Sequence, residues 1–268
     1  MRIAALTWLA LSLVSVSRAQ EAGTVMGPMQ GGSPPPDARD PHAYSGGQGF
    51  GPLELELADE HSMASLRVDK LEAVRTDDDT TVPYDLEAMF GRTYDRAVLK
   101  AEGKIDGGDI EDARTELLWG HAFAAFWDVQ VGARFDSGEG PGREWLAVGV
   151  EGLAPYWFDV EATAYVGESG QSALRFDTSY DLPLTQKWIL QPRFEANAYG
   201  ESDVELGRGS GLSDASISLR VRYEIRRELA PYLGIEWVRK YGETEDFARA
   251  AGEDPNDARL VAGLRFWF

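Results

Sequence analysis

Five side chains that could ligate a metal gather near the start of the chain: Met26, Met29, His42, His61 and Met63. Thioether sulfur suits Cu(I) and imidazole suits Cu(II), and the i, i+2 spacing of His61 and Met63 puts both on one face of an extended segment. Ordinary polar linker residues could be scattered in the same way, so the pattern alone does not specify a site. Catalysis finds no comparable set. The chain has 3 His, namely His42, His61 and His121, and none lies in a motif with a nucleophile and an orienting acid. The absence of Cys excludes a thiolate site, a disulfide framework and a lipid-modified cysteine.

The second chemical pattern is a set of charges at every other position. Asp128 and Arg134, Asp159 and Glu161, Arg193 and Glu195, Arg220 and Arg222, Glu236, and Arg265 each fall on the polar parity of an alternating segment. Lys100, Glu102, Arg114, Glu116, Arg175, Asp177 and Arg259 continue the set. Opposed acids and bases at this density pair across a shared interior. They form either a structural charge network that fills a narrow pore or a selective ion path.

The elements that must position these charges are strands. Phe158, Val160, Ala162, Ala164 and Val166 alternate with Asp159, Glu161, Thr163 and Tyr165; Ile217, Leu219, Val221 and Tyr223 alternate with Ser216, Ser218, Arg220 and Arg222. About twelve such segments follow one another, each near the ~10 residues of a tilted membrane strand. They are expected near residues 65–75, 83–91, 97–105, 113–120, 125–135, 144–151, 156–166, 172–181, 187–199, 214–224, 230–241 and 259–268. The connections alternate too. Acidic, Gly-rich and sometimes long ones, such as 136–143, 200–212 and 242–258, take turns with short ones, such as 92–95, 121–124 and 153–155.

Long loops on one rim and tight turns on the other describe an outer-membrane barrel. A soluble sandwich would also alternate, but its polar face would look out to water; here the apolar parity is nearly free of charge and suits lipid. The final strand fits, with Leu260, Ala262, Leu264, Phe266 and Phe268 opposite Arg259, Gly263 and Arg265. The expected fold is therefore all-β: a transmembrane antiparallel β-barrel of about 12 strands over residues 61–268, preceded by a disordered N-terminal arm.

Residues 1–19 read as a cleaved export signal, with Arg2 before an apolar run from Ile3 to Val16 and small residues ahead of a cut after Ala19. Residues 20–60 are punctuated by Gly and Pro and read as a periplasmic arm that cannot fold alone. The net charge of −19 argues against nucleic acid as a partner.

Several stretches resemble the copper resistance protein B family: Gly152 to Gly167, Leu184 to Glu195, Gly209 to Asp214, Arg222 to Tyr232, and Phe247 to Phe268. The resemblance covers roughly residues 64–268. It implies an outer-membrane barrel of a bacterial copper resistance system that binds copper ions and helps sequester or export them. It also implies outer-membrane lipid around the barrel and a periplasmic multicopper oxidase as partner. Family members commonly carry an arm rich in Met and His, which is reduced here to the few residues named above. Copper is then expected at the acidic loops or in the lumen, where Met89 shares an inward face with Asp85 and Glu87. The alternative is a small non-selective porin or structural barrel without metal affinity.

Overall fold

A segment that alternates with period two presents one apolar and one polar face, and its backbone groups must find partners on neighbouring strands. In the computed structural model, which describes residues 61–75, 80–138, 140–168 and 170–268, the segments solve this by closing on themselves. The signal segment 1–19 and the arm 20–60, with Met26, Met29 and His42, lie outside the described residues.

The strands are β1 (Met63–Arg75), β2 (Thr80–Gly91), β3 (Asp95–Asp106), β4 (Asp109–Ala124), β5 (Trp127–Gly138), β6 (Arg143–Ala154), β7 (Phe158–Gly167) and β8 (Ser172–Ser179). They continue through β9 (Leu182–Pro183), β10 (Trp188–Tyr199), β11 (Gly211–Tyr223), β12 (Leu229–Lys240) and β13 (Asn256–Trp267), with one helix, α1 (Gly242–Ala251), before the last strand. Because β9 has only 2 residues, the wall is a closed antiparallel barrel of 12 strands. Closure comes from β1 and β13, which pair Val68 with Phe266 and Ala73 with Ala262. The N–H of Phe268 also donates to the Leu66 carbonyl at 2.8 Å.

Burial runs opposite to that of a soluble sandwich. Leu146, Leu233 and Leu260 are 68%, 69% and 76% exposed on the outer wall, while Glu116, Arg134 and Arg175 are buried inside. Such an outer belt is stable only against hydrocarbon, and a closed barrel leaves no unpaired edge within it. Short turns gather at one end, at 92–94, 125–126 and 155–157, and the connections 200–210 and 241–255 at the other.

The structure corrects the sequence reading in the connection 242–258, expected as loop, where α1 forms. Glu243 and Glu245 stand in its first turn and Arg249 in its last, matching the helix dipole. Gly252, with φ of 82°, closes it in a left-handed cap, with the Glu253 N–H donating to the Ala248 carbonyl at 2.9 Å. A register shift between Val68 and Lys70 in β1 is a bulge, and it turns both Asp69 and Lys70 toward the interior cavity.

Candidate functional site

Paired residues in a sheet share a face, so strand register specifies which side chains neighbour one another inside the barrel. One inward row runs Arg67, Glu87, Lys100, Glu116, Arg134, and its charges alternate in sign at every step. A second row runs Asp128, Glu151, Glu161, Asp177, Glu195 across β5, β6, β7, β8 and β10. Every member of that row is a carboxylate. Between the two lies a row of uncharged residues, Met89, Val98, Leu118, Gly132, Ala147, Tyr165, Ala173 and Tyr199.

The interior opens at the short-turn end into a cavity of about 830 Å³, bordered at its mouth by Met63, Arg92, Tyr94 and Phe126. Asp128, Glu151, Glu161 and Asp177 line it. Each carboxylate of the acidic row has a base beside it. Asp128 meets Arg96 at 2.7 Å, Glu151 and Glu161 share Lys100 at 2.8 and 2.9 Å, Asp177 meets Arg193 at 2.6 Å and Glu195 meets Arg175 at 3.1 Å. Two of these bonds cross the lumen, because Lys100 stands on β3 and its partners on β6 and β7.

Further in, the lumen is bridged. Glu102 on β3 accepts from Arg114 at 2.6 Å and from Arg175 on β8 at 2.9 Å. Tyr165 on β7 donates to Glu116 on β4 at 2.8 Å. Arg193 also reaches Asp85 at 3.3 Å, and on the other wall Arg220 and Tyr232 converge on Glu72 at 2.9 and 2.8 Å. Arg259 pairs with Glu236 at 2.7 Å, Arg265 with Asp69 at 2.9 Å, and Arg222 donates to Asp181. Asp159 lines the cavity beside them.

The long-loop end is filled differently. Arg134 lies 4.5 Å over the Tyr165 ring and holds Asp136 with two bonds of 2.7 and 2.9 Å. Asp136 also accepts from the Trp145 indole at 3.2 Å and from Arg208 at 3.3 Å. Arg208 belongs to the 200–210 connection, which Arg143 fastens through Asp203 at 2.9 Å and Glu205 at 3.0 Å. Its other side is held to α1 by the Gly209 N–H donating to Thr244 at 2.8 Å, and by Ser202 donating to Glu243. The Ser202 hydroxyl and then the Ser210 backbone hold the Glu243 carboxyl below its ordinary range.

The residues singled out in the sequence therefore separate. Met89 packs against the apolar cluster of Val98, Leu118, Trp145 and Tyr165, while Asp85 and Glu87, on the same face, are bonded to Arg193 and Arg67. Met63 borders the cavity mouth. His61 is exposed just before β1. His121 faces outward, its Nδ1 2.9 Å from Asp95. Among the described residues, no three His or carboxylate side chains converge as a ready-made chelate. The sequence reading missed Glu151 and Asp136. Glu151 stands within the otherwise apolar run Leu146 to Ala154 of β6, and only pairing register reveals that it continues a row.

Comparison with known proteins decides the family. Residues 62–268 match the family described as copper resistance protein B precursor (CopB). The chain belongs to the copper resistance protein B family. It is 47% identical over 200 residues to the copper resistance protein B homolog of Pseudomonas syringae pv. tomato, covering 75% of this chain and 68% of that one. It is 43% identical over 201 residues to copper resistance protein B of Escherichia coli, with the same coverage. Family membership gives the chain a role in copper resistance. Among solved structures, the barrel is similar to the NanC porin (10% identity, TM-score 0.48, 76% of this chain and 98% of that chain) and to the KdgM porin (12%, 0.43, 78% and 99%).

Proposed function

We propose that this copper resistance barrel binds copper ions on its lumen carboxylates and passes them along the acidic row, so that copper is sequestered or exported. The observation that carries the reading is the uninterrupted run Asp128, Glu151, Glu161, Asp177, Glu195. Like charges placed directly opposite one another destabilise a sheet, by up to about 1 kcal/mol per pair. The alternating row beyond the uncharged one avoids that cost, so stability alone does not account for five acids in succession. A row of carboxylates, four of them on the cavity wall, suits a cation, which exchanges one oxygen ligand for the next by displacing Lys100 or Arg193.

In outer-membrane barrels the short turns face the periplasm, and the cavity then takes copper from that side. Residues 1–19 are removed after Ala19 on export, and the arm 20–60 captures copper through Met26, Met29 and His42. His61 and Met63 hold it at the barrel, and Met63 borders the cavity. Met89 is a second thioether candidate inside the wall. The protein acts as a binder and conduit rather than as an enzyme, with a periplasmic multicopper oxidase of the same system as its partner and outer-membrane lipid around it.

A second reading, a porin or structural barrel without metal affinity, is favoured by the bases that already neutralise each carboxylate of the row. Titration of the full chain with Cu(I) and Cu(II) separately, beside Glu151→Gln/Glu161→Gln and Met89→Leu, decides between them. The account expects saturable binding that weakens in the double variant. Binding that is absent from all three proteins would establish the second reading.

A further inference from the structure

The outer wall is not smooth. Where β1 to β4 approach the short-turn end it carries an apolar groove of about 500 Å³. Ala88 pairs with Leu99 and Ala97 with Phe90, so each row sets a short side chain beside a long one, and Leu117 and Phe268 bound the hollow on either side. The groove lies on the face that the barrel turns to hydrocarbon, and an acyl chain is the flexible apolar group that fills it there.

One charge stands at the end of this groove. Asp95 and Ala97 point to the same side of β3, about 7 Å apart along the strand. Among the described residues, Asp95 is the only acid on the outward faces of β2 and β3, and its side chain is 57% exposed. Its Oδ1 accepts from the Trp119 indole at 3.1 Å and lies 2.9 Å from His121 Nδ1. The two rings stack, with centroids 5.4 Å apart. These contacts fix the carboxylate through one oxygen and leave Oδ2 open. A carboxylate on a barrel's outer face is tolerated at the level of the headgroups, where Trp side chains also gather. A fixed negative charge with an open oxygen suits a cationic hydrogen-bond donor at that level.

We infer that this groove and Asp95 together bind a phospholipid whose headgroup carries a primary ammonium, of the ethanolamine class. An acyl chain lies between Phe90, Leu99 and Leu117, and the ammonium donates to Asp95 Oδ2. A choline headgroup has the same charge but no N–H to donate, and a glycerol headgroup has no cation. A second copy of the barrel would lie across the groove without entering it, whereas a lipid meets both the groove and the charge. The site is on the outer wall and does not depend on the copper reading, which concerns the lumen.

Native mass spectrometry of the full-length protein tests the assignment, with ethanolamine, choline and glycerol phospholipids of matched acyl chains titrated into the detergent. The ethanolamine lipid should be retained about three- to five-fold more tightly than either of the others, the size expected for a solvent-accessible ion pair. Asp95→Asn keeps an acceptor for Trp119 and His121, and should bring the three lipids to equal affinity. Ala97→Phe fills the groove and should weaken all three alike. Heat-modifiable migration on a gel verifies that each variant is folded, and if one is not, the selectivity of the unaltered barrel decides alone. Equal affinity of the unaltered barrel for the three headgroups would overturn the proposal, as would a preference that survives in folded Asp95→Asn or full affinity in folded Ala97→Phe. A barrel dimer that the ethanolamine lipid does not displace and that Ala97→Phe dissolves would give the groove to a second copy, and would overturn it too.

Discussion

The two halves of the lumen are built from the same residue types and do opposite things with them. Toward the short turns, charges line a cavity and pair at its edges, as Arg96 with Asp128 and Lys100 with Glu151 and Glu161. Toward the long loops, charges are stacked on aromatic rings and sealed, as Arg134 between Asp136, Tyr165 and Trp145. The difference lies in what accompanies the charge. Aromatic rings and a folded-in connection exclude water and make an ion pair structural, whereas the pairs of the other half border an open cavity.

The largest expected effect of breaking this contrast is at Asp136. Replacing it with Ala removes the acceptor for Arg134, Trp145 and Arg208 together, leaving a buried guanidinium unpaired. That costs on the order of 3–5 kcal/mol, and the urea midpoint of the folded barrel should fall accordingly. In contrast, Asp128→Asn at the cavity mouth leaves Arg96 in contact with water; the loss should stay near ~1 kcal/mol by the same measurement. Equal losses at the two sites would erase the distinction between the halves.

A smaller effect concerns the seal. Arg143→Ala removes the bonds to Asp203 and Glu205 while leaving Arg208 in place. Amide exchange across 200–210 should accelerate several-fold, with the strands unchanged. The smallest effect is one of pH. The Glu243 carboxyl is held below its ordinary range, so the contact it makes with Ser202 stabilises the folded connection at pH values above about 4.3, the unfolded value. That contribution is lost as pH falls through the lower folded value. Corrected for the intrinsic exchange rate, protection at 242–251 should therefore fall in acid, and Glu243→Gln should remove that pH dependence.

The strands and the face each would present were legible in the sequence because alternation has a period of two and nothing in a membrane barrel disguises it. Phe158 to Val166 shows this, with Phe, Val and Ala out and Asp159, Glu161 and Tyr165 in. Helix α1 was legible in principle, from Glu245 and Arg249 four apart and Gly252 after them, but the acidic composition of 242–258 looked like loop. The acidic row was not legible at all. It exists only through pairing between strands, and a one-residue change of register would break it. The bulge at Asp69 and Lys70 escaped for the same reason.

The most direct test of the central claim is copper flux. Full-length protein would be reconstituted in liposomes loaded with a copper indicator and compared with Glu151→Gln/Glu161→Gln after both are shown to be folded. The account predicts copper entry through the unaltered barrel and a loss of about ten-fold in the double variant, with little change in the passage of uncharged solutes. Copper entry at the same rate in both proteins would contradict it, and the acidic row would then be part of the wall and not a path.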